Sequence, residues 1–599
     1  MTKRKENGET DFPVVKKIKN QPPEGEFKKS SFEKKSKIPK NGDSKKPSKL
    51  FNGKKQVAQP SEKPENWNDF KKKKKELKLK RKQSKTGFDV IVKAKKIGEK
   101  LRCKTLKGGE VERNKLINEL HSLLKGEGHY VKFVLAHDTS RIVQWLLKYS
   151  SDIVKEQISK ELIPVTLDML QSKYGIFCVK RLLKYGNQQT RSSIVEKMFG
   201  QAVKLLSHTL SAPVFEYAYS TWASTQQKQH LTQEFFGDMY KNSKDNKVKH
   251  LRNVYEESTD LKAATLGATK ANLLRVINKN LLDSGLVQTV LSQYLSECSS
   301  EDRAELISQL VPHIVVISNS KDGARAAMQC IWHGTNKDRK VAMKTIKEHA
   351  IELSKHEHGH CTIITLLDTI DDTVLLHKII LSEILKGAKD LAVNEWGRRV
   401  LLWLVAPAVS TWFHPVFVKE LERGRANSSS KKLPETRRQE ILDYSIDTLL
   451  DAVAEDPRFW LGNSSLAYEM LAILKAGRGD VTKKALDSLA TVIVEADWKI
   501  KINEQEILGI EDAGLHMVLK KLAKHNESFG SSLIGALTDQ TLEKWLVLNR
   551  GCFVLVAVYE NSTAEVREML QKMLRKHRKL LKEQDTAGSK ILLKKLEDE

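Results

Sequence analysis

An internal repeat of about 36 residues constrains this chain more than any other feature of its sequence. Each unit has a turn, a small residue, two variable residues, two apolar residues and one variable residue, followed by a leucine-rich helix and a second amphipathic helix. A helical unit of this length cannot bury its own apolar face, whereas stacked units share a continuous core. The repeat therefore predicts an all-α fold, an α-solenoid with long exposed faces. The second variable residue, used as an anchor, falls at Arg141, Phe177, Pro213, Val287, Arg325, Cys361, Arg399, Leu466, His516 and Phe553.

The spacing of the anchors is regular except at the widest gaps. Successive anchors are 36, 36, 74, 38, 36, 38, 67, 50 and 37 residues apart. The 74-residue gap has room for one degenerate copy near Asn246 and Lys247, which gives about eleven units. The 67-residue gap indicates an insertion, and its Gly, Ser and Lys content predicts a mobile basic loop over 423–434.

The pattern divides the chain into four parts. From about Leu106 to Met573, apolar residues recur every three or four positions, which is typical of helices throughout. We expect a disordered basic arm over 1–104, the N-terminal part of the solenoid over 105–395 and its C-terminal part over 396–573. A basic amphipathic tail over 574–599 completes the chain.

The positive charge is concentrated in the arm. The chain carries 103 Lys and Arg against 75 Asp and Glu, a net charge of +28, and residues 1–100 contribute 32 basic and 13 acidic side chains, a net of +19. So few large apolar residues cannot bury enough surface to offset the entropy of ordering the backbone. Basic runs of this kind serve as nuclear or nucleolar import signals or as nucleic-acid tethers, the alternative being a solvated run that keeps the protein soluble. The candidate targeting residues are Lys16, Lys17, Lys19, Lys71, Lys72, Lys73, Lys74, Lys75, Lys78, Lys80, Arg81 and Lys82.

Several classes of function find no support in the sequence. No Walker-type glycine-rich loop, HExxH or GxSxG motif occurs, so we expect no enzyme and no cofactor. No apolar run reaches the ~18–20 residues of a membrane span, and the first residues lack the apolar stretch of a signal peptide. The segment Lys355–Cys361 offers four potential metal ligands. It opens a repeat and lacks the second ligand pair of a zinc site, so we expect no bound metal.

The core of the repeat resembles that of the pumilio (PUF) repeat family. In that family the variable pair and the residue three positions further on face a single base. Ser140, Arg141 and Gln144 match the family's base-reading triple for adenine, in which the glutamine can hydrogen-bond a base edge while the arginine stacks on the base. Phe177 is a further base-contacting candidate as a stacking platform, the alternative being simple core packing.

Most other units depart from the readable pattern. Residues such as Pro213, Val287 and Cys361 occupy the anchor position and cannot read a base edge. Without base-edge pairs, phosphate contacts dominate the affinity for nucleic acid. Each cation on the repeat faces and turns is either a phosphate contact or an ordinary solvated helix charge. The phosphate-contacting candidates are Lys180, Arg181, Lys184, Arg325, Lys337, Arg339, Lys340, Arg398 and Arg399.

Three stretches are more specific than the generic repeat. Lys321–Lys340, Ile370–Thr373 and Ile379–Ile384 resemble the divergent nucleolar branch of the family, the Puf-A or Penguin-type proteins, and residues 395–530 resemble its CPL region. The resemblance covers roughly 105–570. It implies a bent, L-shaped solenoid that binds RNA or DNA with little sequence preference. It also implies a role in large ribosomal subunit assembly and precursor rRNA processing, with pre-ribosomal particles and assembly factors as partners.

We therefore expect a nucleolar RNA-binding solenoid that acts as a monomer away from membranes and takes precursor rRNA, with mRNA and DNA as further partners. Two alternatives stay open: a sequence-selective mRNA regulator of the ordinary pumilio kind, and a protein-docking scaffold like importin or HEAT solenoids. A phosphate-led RNA binder should weaken steeply as salt rises, whereas a protein scaffold should not.

Overall fold

The structure is a computed structural model, and it describes residues 67–83, 87–103, 105–256, 258–495, 497–502 and 505–597. The targeting candidates Lys16, Lys17 and Lys19 lie outside these ranges. Nearly all of the described chain is helical, as the repeat predicts. Within the same ranges, no helix combines the length and the apolar character that a membrane crossing requires.

The helices follow one another with short connections. The first half comprises α1 Trp67–Gln83, α2 Phe88–Leu101, α3 Gly109–Leu124, α4 His129–Leu135, α5 Ser140–Tyr149, α6 Asp152–Leu162, α7 Thr166–Gln171, α8 Gly175–Tyr185, α9 Gln188–Glu196, α10 Ala202–Leu206, α11 Ala212–Thr221, α12 Thr225–Gln233, α13 Met239–Asn242, α14 Leu261–Ile277, α15 Gly285–Glu297, α16 Ser300–Leu310, α17 Ile314–Ile317 and α18 Lys321–His333. The second half comprises α19 Asn336–Lys347, α20 Ala350–Ser354, α21 Gly359–Thr369, α22 Thr373–Leu376, α23 Ser382–Lys386, α24 Ala388–Ala392, α25 Glu395–Val405, α26 Pro415–Ala426, α27 Pro434–Glu455, α28 Pro457–Trp460, α29 Ser464–Ala476, α30 Gly479–Ile493, α31 Ala513–His525, α32 Glu527–Ala536, α33 Asp539–Val547, α34 Asn549–Asn561, α35 Ala564–Lys576, α36 Arg578–Glu583 and α37 Ala587–Glu597. Short 3₁₀ or π segments occur at Ile163–Val165, Leu251–Val254, Val311–His313, His377–Leu381 and Gly509–Glu511.

One row of helices, called here the inner row, runs through the whole molecule. Each member packs against the next, and the ten anchors all fall within the first five residues of an inner-row helix. The α-solenoid predicted from the repeat is confirmed. The inner row consists of α2, α5, α8, α11, α15, α18, α21, α25, α29, α31, α34 and α37.

The small residue of the repeat has a packing reason. A Cβ on Gly175 would lie 2.8 Å from the Cα of Met169, and one on Gly397 would lie 2.8 Å from the carbonyl oxygen of Leu391. The first turn of an inner-row helix thus lies directly against the short helix before it. Only a residue without a large side chain permits this approach, so the glycine fixes where the inner helix starts.

The degenerate copy expected near Asn246 and Lys247 is not a full unit. Residues 243–250 form a coil, and α15 follows α11 directly in the inner row, where the backbone N–H of Gly285 donates to Glu216 at 3.1 Å. The Gln233 side chain holds the coil, donating to the Val248 carbonyl at 2.8 Å. The long gap between anchors is therefore filled by this coil and by α14.

The expectation of disorder up to residue 104 is wrong for the end of the arm. Helix α2 packs against α3 and α5, and it buries Ala94, Ile97 and Leu101. These residues have the spacing of one helix face, and they cap the first repeat, whose apolar side would otherwise face solvent. The solenoid therefore begins at α2.

The C-terminal tail also belongs to the solenoid. Helix α37 packs on α34, where a Cβ on Gly588 would lie 2.8 Å from the Cβ of Cys552, and Leu581 and Leu592 are buried. The prediction of a separate tail is therefore wrong. An antiparallel hairpin, β1 Lys499–Ile502 and β2 Gln505–Leu508, is a small exception to the helical pattern, with Ile500 opposite Ile507.

Candidate nucleic-acid interface

An open groove lies on the inner row near the N-terminal end of the solenoid. It has a volume of about 820 Å³ and is formed by α2, α5, α8 and the turns before them. We call it the N-terminal groove; its lining is Lys95, Glu99, Arg102, His137, Asp138, Ser140, Arg141, Ile142, Gln144, Trp145, Lys173, Tyr174 and Phe177.

All four base-reading candidates line this groove. Phe177 is 52% exposed, so the alternative of core packing is wrong for it. Arg141 is exposed and Gln144 is half-buried. Ser140 is buried, and its carbonyl oxygen accepts from the Cys178 thiol at 3.5 Å. Arg141, Gln144 and Phe177 are therefore available to a ligand, whereas the Ser140 side chain is largely withdrawn.

The groove is cationic after its internal pairs are counted. Lys95 donates to Asp138 at 3.0 Å, and hydrogen bonds from His137 and Lys95 lower the pKa of Asp138 to about 2, so it stays ionised. Glu99 faces Arg102 at 3.6 Å. Asp138 and Glu99 are thus each paired with a cation within the groove. Arg141 and Lys173 have no ion-pair partner among the described residues and remain free to meet an anion.

The basic surface continues along α8. Lys180 is exposed one turn after Phe177. Arg181 is half-buried and lies with Lys184 beside Tyr185, each cation 5.7 Å from the ring centroid. Alternating aromatic rings and cations suit a nucleic-acid backbone with stacked bases.

Several residues that line the groove are not predicted from the sequence. Lys95 belongs to α2 and Arg102 follows its last residue, in the part of the chain for which the sequence predicts a disordered arm. The signal was present in the apolar residues Phe88, Ile91 and Ala94, which recur every three positions. Tyr174 and His137 lie in the turns before the inner helices, with their rings edge-on at 5.0 Å, and no feature of the repeat marked them.

The inner row has a different surface in the middle of the solenoid, because part of the chain covers it. Helix α26 packs on α18 and α21. A Cβ on Gly424 would lie 2.0 Å from the Trp332 ring, and Arg425 donates to the buried Asp368 at 2.5 Å. We call α26, the segment 427–433 and the first turns of α27 the central clamp.

The segment expected to be a mobile basic loop is fixed within this clamp. Ser430 Oγ donates to Asp371 at 2.5 Å, and the backbone N–H of Lys431 donates to the same carboxylate at 2.7 Å. Although partial burial raises the pKa of Asp371, hydrogen bonds from Ser430, Lys431 and Arg437 lower it to about 2. The prediction of mobility is wrong, because composition does not reveal an anchoring carboxylate 60 residues earlier.

Arg437 of α27 bonds the central clamp to the end of α21. Its guanidinium is buried and donates to the carbonyl oxygens of Ile370 at 3.0 Å and Asp368 at 2.7 Å, and to Asp371 at 2.8 Å. Asp372 accepts from the Leu375 N–H at 2.9 Å as the N-cap of α22. This dense network holds α27 against the end of α21.

Arg325 lies beside α26 of the central clamp. Its guanidinium is 3.5 Å from Glu420 of α26 and 3.6 Å from Asp322 of its own helix. The groove beside it, about 560 Å³, is lined by both carboxylates and by Glu297. The structure assigns Arg325 to an intramolecular ion-pair cluster rather than to an open phosphate site.

Arg339 is wrong as a phosphate candidate. It is 4% exposed and donates to the carbonyl oxygens of Ile331 and Trp332, each at 2.9 Å. It thereby caps the C-terminal end of α18, where backbone acceptors lack helical partners. Lys337 and Lys340, on the same helix as Arg339, are exposed and remain candidates.

Arg398 is also directed inward. It donates to the Ala392 carbonyl at 3.0 Å and lies 3.4 Å from Glu469, so its assignment to phosphate is wrong. Arg399 points outward over the Trp396 ring, 4.4 Å from its centroid, and pairs with Glu395 at 3.3 Å. Of the two neighbours, only Arg399 remains on the surface.

The histidine-rich segment has a packing role. His360 is buried and stacks on Trp396 at 5.1 Å, and burial lowers the pKa of His360 to about 4. The His356 ring accepts from the Gly359 N–H at 3.1 Å at the start of α21. Among the residues that the structure describes, no group of three or more His, Cys, Asp or Glu could hold a metal ion.

The lysine-rich run forms helix α1. Lys71, Lys72, Lys73, Lys74, Lys75, Lys78 and Lys80 are exposed on it, and Arg81 and Lys82 belong to its last turn. The seven lysines therefore present their charge to solvent.

Comparisons with known protein families match two parts of the chain. The model of the Pumilio-family RNA binding repeat matches residues 140–163 and 349–385, and that of the CPL (NUC119) domain matches residues 393–532. The first match begins at Ser140, in the N-terminal groove. The CPL match agrees with the 395–530 region expected from the sequence.

Whole-chain comparisons agree with these matches. Protein penguin of Drosophila melanogaster is 33% identical, over 89% of this chain and 85% of that protein. Pumilio homolog 3 of Homo sapiens is 30% identical, over 88% of this chain and 83% of that protein. The crystal structures of human Puf-A and of human Puf-A in complex with DNA each have 28% identity and a TM-score of 0.76, and they cover 85% of this chain. The alignments cover 99% and 100% of those two chains.

Proposed function

Because this chain belongs to the pumilio (PUF) repeat family, together with Penguin and Pumilio homolog 3, we propose that it binds RNA chiefly through its N-terminal groove. Its family and fold are those of RNA-binding repeat proteins. The observation that carries the proposal is an open groove in which an exposed aromatic ring, a half-buried glutamine and unpaired cations lie together.

Binding in the groove divides into two kinds of contact. Arg141, Lys173 and Lys180 meet phosphates, which sets most of the affinity and makes it sensitive to salt. Phe177 offers its face to a base, a contact worth ~1–3 kcal/mol and tolerant of sequence. Gln144 can hydrogen-bond the edge of one base, so one position of the RNA is read directly.

Low overall specificity follows from the rest of the inner row. Beyond the N-terminal groove, most equivalent positions carry apolar residues, or polar and charged residues already bonded within the protein, such as Glu216, Arg325 and Arg398. Such a surface holds a backbone without reading its sequence. The DNA complex of human Puf-A supports this view, since a backbone-led binder accepts both nucleic acids.

We further propose a nuclear and nucleolar location, and a role in large ribosomal subunit assembly and precursor rRNA processing. The protein acts there as a monomer on pre-ribosomal particles and their assembly factors, with mRNA as a further ligand. The exposed lysines of α1 would serve as import signal and RNA tether. Replacing Lys71–Lys75 by alanine should move the tagged protein out of the nucleolus, and depleting the protein should raise unprocessed large-subunit rRNA precursors on Northern blots.

The binding proposal is tested with the full chain, a set of unrelated single-stranded RNAs and one duplex, at two salt concentrations. The variant Arg141→Glu plus Lys180→Glu should lose about 100-fold in affinity, or ~2.7 kcal/mol. The matched control Lys483→Glu plus Lys572→Glu changes the same net charge on exposed helix surfaces away from the groove. It should stay within about threefold of the original chain.

Each other outcome selects a different function. A strong preference for one RNA sequence would favour the mRNA regulator. Equal losses in both double variants would move binding away from the groove to diffuse charge. No RNA binding at either salt concentration would leave the protein-docking scaffold.

A further inference from the structure

A second open groove lies far along the inner row, in the CPL domain. It has a volume of about 750 Å³, within the ~300–1,000 Å³ of ligand pockets. The end of α25, the loop 406–414, α29 and α31 form its walls. We call it the C-terminal groove, and its lining is Val405, Ala406, Val409, Thr411, Trp412, Tyr468, Leu471, Ala472, Lys475, Ala476, Lys521 and His525.

The loop wall of this groove is held in a defined shape. Phe413 is buried edge-on against Trp403, with ring centroids 4.9 Å apart. The N–H groups of Trp412 and Phe413 both donate to the Val409 carbonyl at 3.0 Å. Ala408 has φ +62°, a left-handed conformation that a non-glycine residue seldom adopts. Val409 and Trp412 are thereby presented to the groove in advance of any partner.

The floor of the groove is aliphatic. Leu471, Ala472 and Val405 are largely buried below it, and Val409 remains 41% exposed at its edge. Only Thr411, Trp412, Tyr468 and His525 of the lining carry neutral side-chain hydrogen-bonding groups. A nucleobase needs polar partners for its edges as well as a ring to stack on, whereas aliphatic and aromatic side chains of a peptide need only such a floor.

The rim of the groove carries positive charge that no carboxylate of the lining neutralises. Its lining contains Lys475, Lys521 and His525 and no carboxylate, unlike the N-terminal groove and the groove beside Arg325. None of the three forms an ion pair with a carboxylate in the described part of the chain, and Lys521 lies over the Tyr468 ring at 4.8 Å. Burial and the neighbouring positive charges lower the pKa of both Lys475 and His525, so His525 is neutral at pH 7. The positive charge of the rim is therefore that of Lys475 and Lys521, and it attracts negative charge.

We propose that the C-terminal groove docks an acidic amphipathic segment of a protein partner. Apolar side chains of the segment, spaced along one helix face, enter between Trp412 and Tyr468 and rest on Leu471. Its Asp and Glu residues meet the rim cations and set the orientation of the segment, because charge complementarity governs register and rate of association. The site is separate from the N-terminal groove, so RNA and the peptide bind at the same time.

The experiment selects ligands from a display library of random peptides about 16 residues long, the length of a short amphipathic helix. Immobilised full-length chain is the target, and Val409→Glu chain is used to remove peptides that bind elsewhere. Val409 is exposed, so the substitution places a carboxylate in the groove without disturbing the core. The enriched peptides should carry acidic residues and apolar residues at helical spacing, and one is synthesised with a fluorescent label.

The labelled peptide should bind the original chain at least tenfold more tightly than the Val409→Glu chain or the Lys475→Glu plus Lys521→Glu chain. The matched controls are Val111→Glu, an exposed valine on α3, and Lys483→Glu plus Lys572→Glu. Both controls should bind like the original chain. Circular dichroism of every variant separates lost binding from lost folding.

Three results would overturn the proposal. The first is a selection that yields no peptide sensitive to Val409→Glu, or only peptides without acidic residues. The second is equal binding by a scrambled peptide of the same composition, which would leave charge alone. The third is displacement of the peptide by single-stranded RNA in the Arg141→Glu plus Lys180→Glu chain, where the N-terminal groove is disabled; the C-terminal groove would then be a nucleic-acid surface.

Discussion

Arg141 and Arg325 hold the same position in their repeats, yet their surroundings are opposite. Arg141 lies in the open N-terminal groove without a carboxylate partner among the described residues, next to the exposed ring of Phe177. Arg325, whose side chain is 45% exposed, lies beside α26 of the central clamp, with Glu420 and Asp322 within 3.6 Å. The first cation is available to a ligand, and the second is neutralised by the protein itself.

This contrast shows that a repeat position does not determine the role of its residue. The insertion between α25 and α29 brings Glu420, Arg425 and Arg437 onto the inner row. There Glu420 pairs with Arg325, whereas Arg425 and Arg437 pair with Asp368 and Asp371. The arginines in the middle of the solenoid thus have partners within the protein, while Arg141 near the N-terminal end is open to a ligand.

The largest expected effect concerns the clamp. Replacing Arg437 by methionine removes one of the donors to Asp371 and the donor to two carbonyl oxygens, those of Asp368 and Ile370. Leaving a buried acceptor without its donor costs ~1–3 kcal/mol, so we expect the free energy of unfolding to fall by ~4 kcal/mol in all. Urea unfolding followed by tryptophan fluorescence measures it.

Arg423→Met is the control for the clamp prediction. Arg423 is exposed on α26, another part of the central clamp, and its replacement should change the free energy of unfolding by less than ~0.5 kcal/mol. If the two variants were equally stable, the network around Arg437 would not hold the clamp in place. The inner row beneath it would then be as open as the N-terminal groove.

The next effect tests whether Arg398 is committed to the interior. Glu469 is fully buried beside it, and burial raises the pKa of Glu469 to about 8. The folded protein therefore keeps a proton that the unfolded chain releases above pH ~4.3, so stability falls as pH rises from there to about 8. Glu469→Gln stays neutral and removes this fall.

We expect Glu469→Gln to match the original chain at pH 5 and to exceed it by ~3.5 kcal/mol in free energy of unfolding at pH 8, which is the fall that the two pKa values give between these pH values. Unfolding curves at both pH values give the difference. An identical pH dependence in the two proteins would mean that Glu469 is ionised and fully paired with Arg398 at neutral pH.

The sequence predicted the parts of the fold that depend on the repeat itself. Apolar spacing located the inner row, and the glycine before Ile176 marked a helix start, because both follow from packing between adjacent units. The clamp could not be predicted in this way. Its contacts join Asp371 to Lys431 and Asp368 to Arg425 across 57–60 residues, and no local pattern records which distant carboxylate a basic segment meets.

The same reason explains which of the predicted site residues lie open to a ligand. Arg141 and Phe177 are exposed and Gln144 is half-buried, because their repeats carry no insertion above them. Arg339 carries the same charge as Arg141. It is buried, however, because it donates to backbone carbonyl oxygens at the end of α18. Burial of a cation depends on the nearest unsatisfied acceptors, which only the structure provides.

A smaller effect measures the aromatic part of the open groove. Phe177→Ala removes a stacking face worth ~1–3 kcal/mol per base, so RNA affinity should fall about tenfold while the fold is unchanged. Ile153→Ala, another exposed apolar residue, is the control and should bind RNA normally. Fluorescence anisotropy with a short labelled RNA measures both. Unchanged affinity in Phe177→Ala would leave the groove with phosphate contacts alone.

The smallest effect is the most direct test of the contrast between Arg141 and Arg325. Each is replaced by alanine, so both variants lose one formal charge. Arg141→Ala should weaken RNA binding about fivefold and reduce the salt slope of the affinity by ~1, because one phosphate contact is lost. Arg325→Ala should stay within about twofold with an unchanged slope, since Glu420 and Asp322 already neutralise that charge. Equal losses in the two variants would mean that RNA displaces α26, and the middle of the solenoid would then belong to the binding surface.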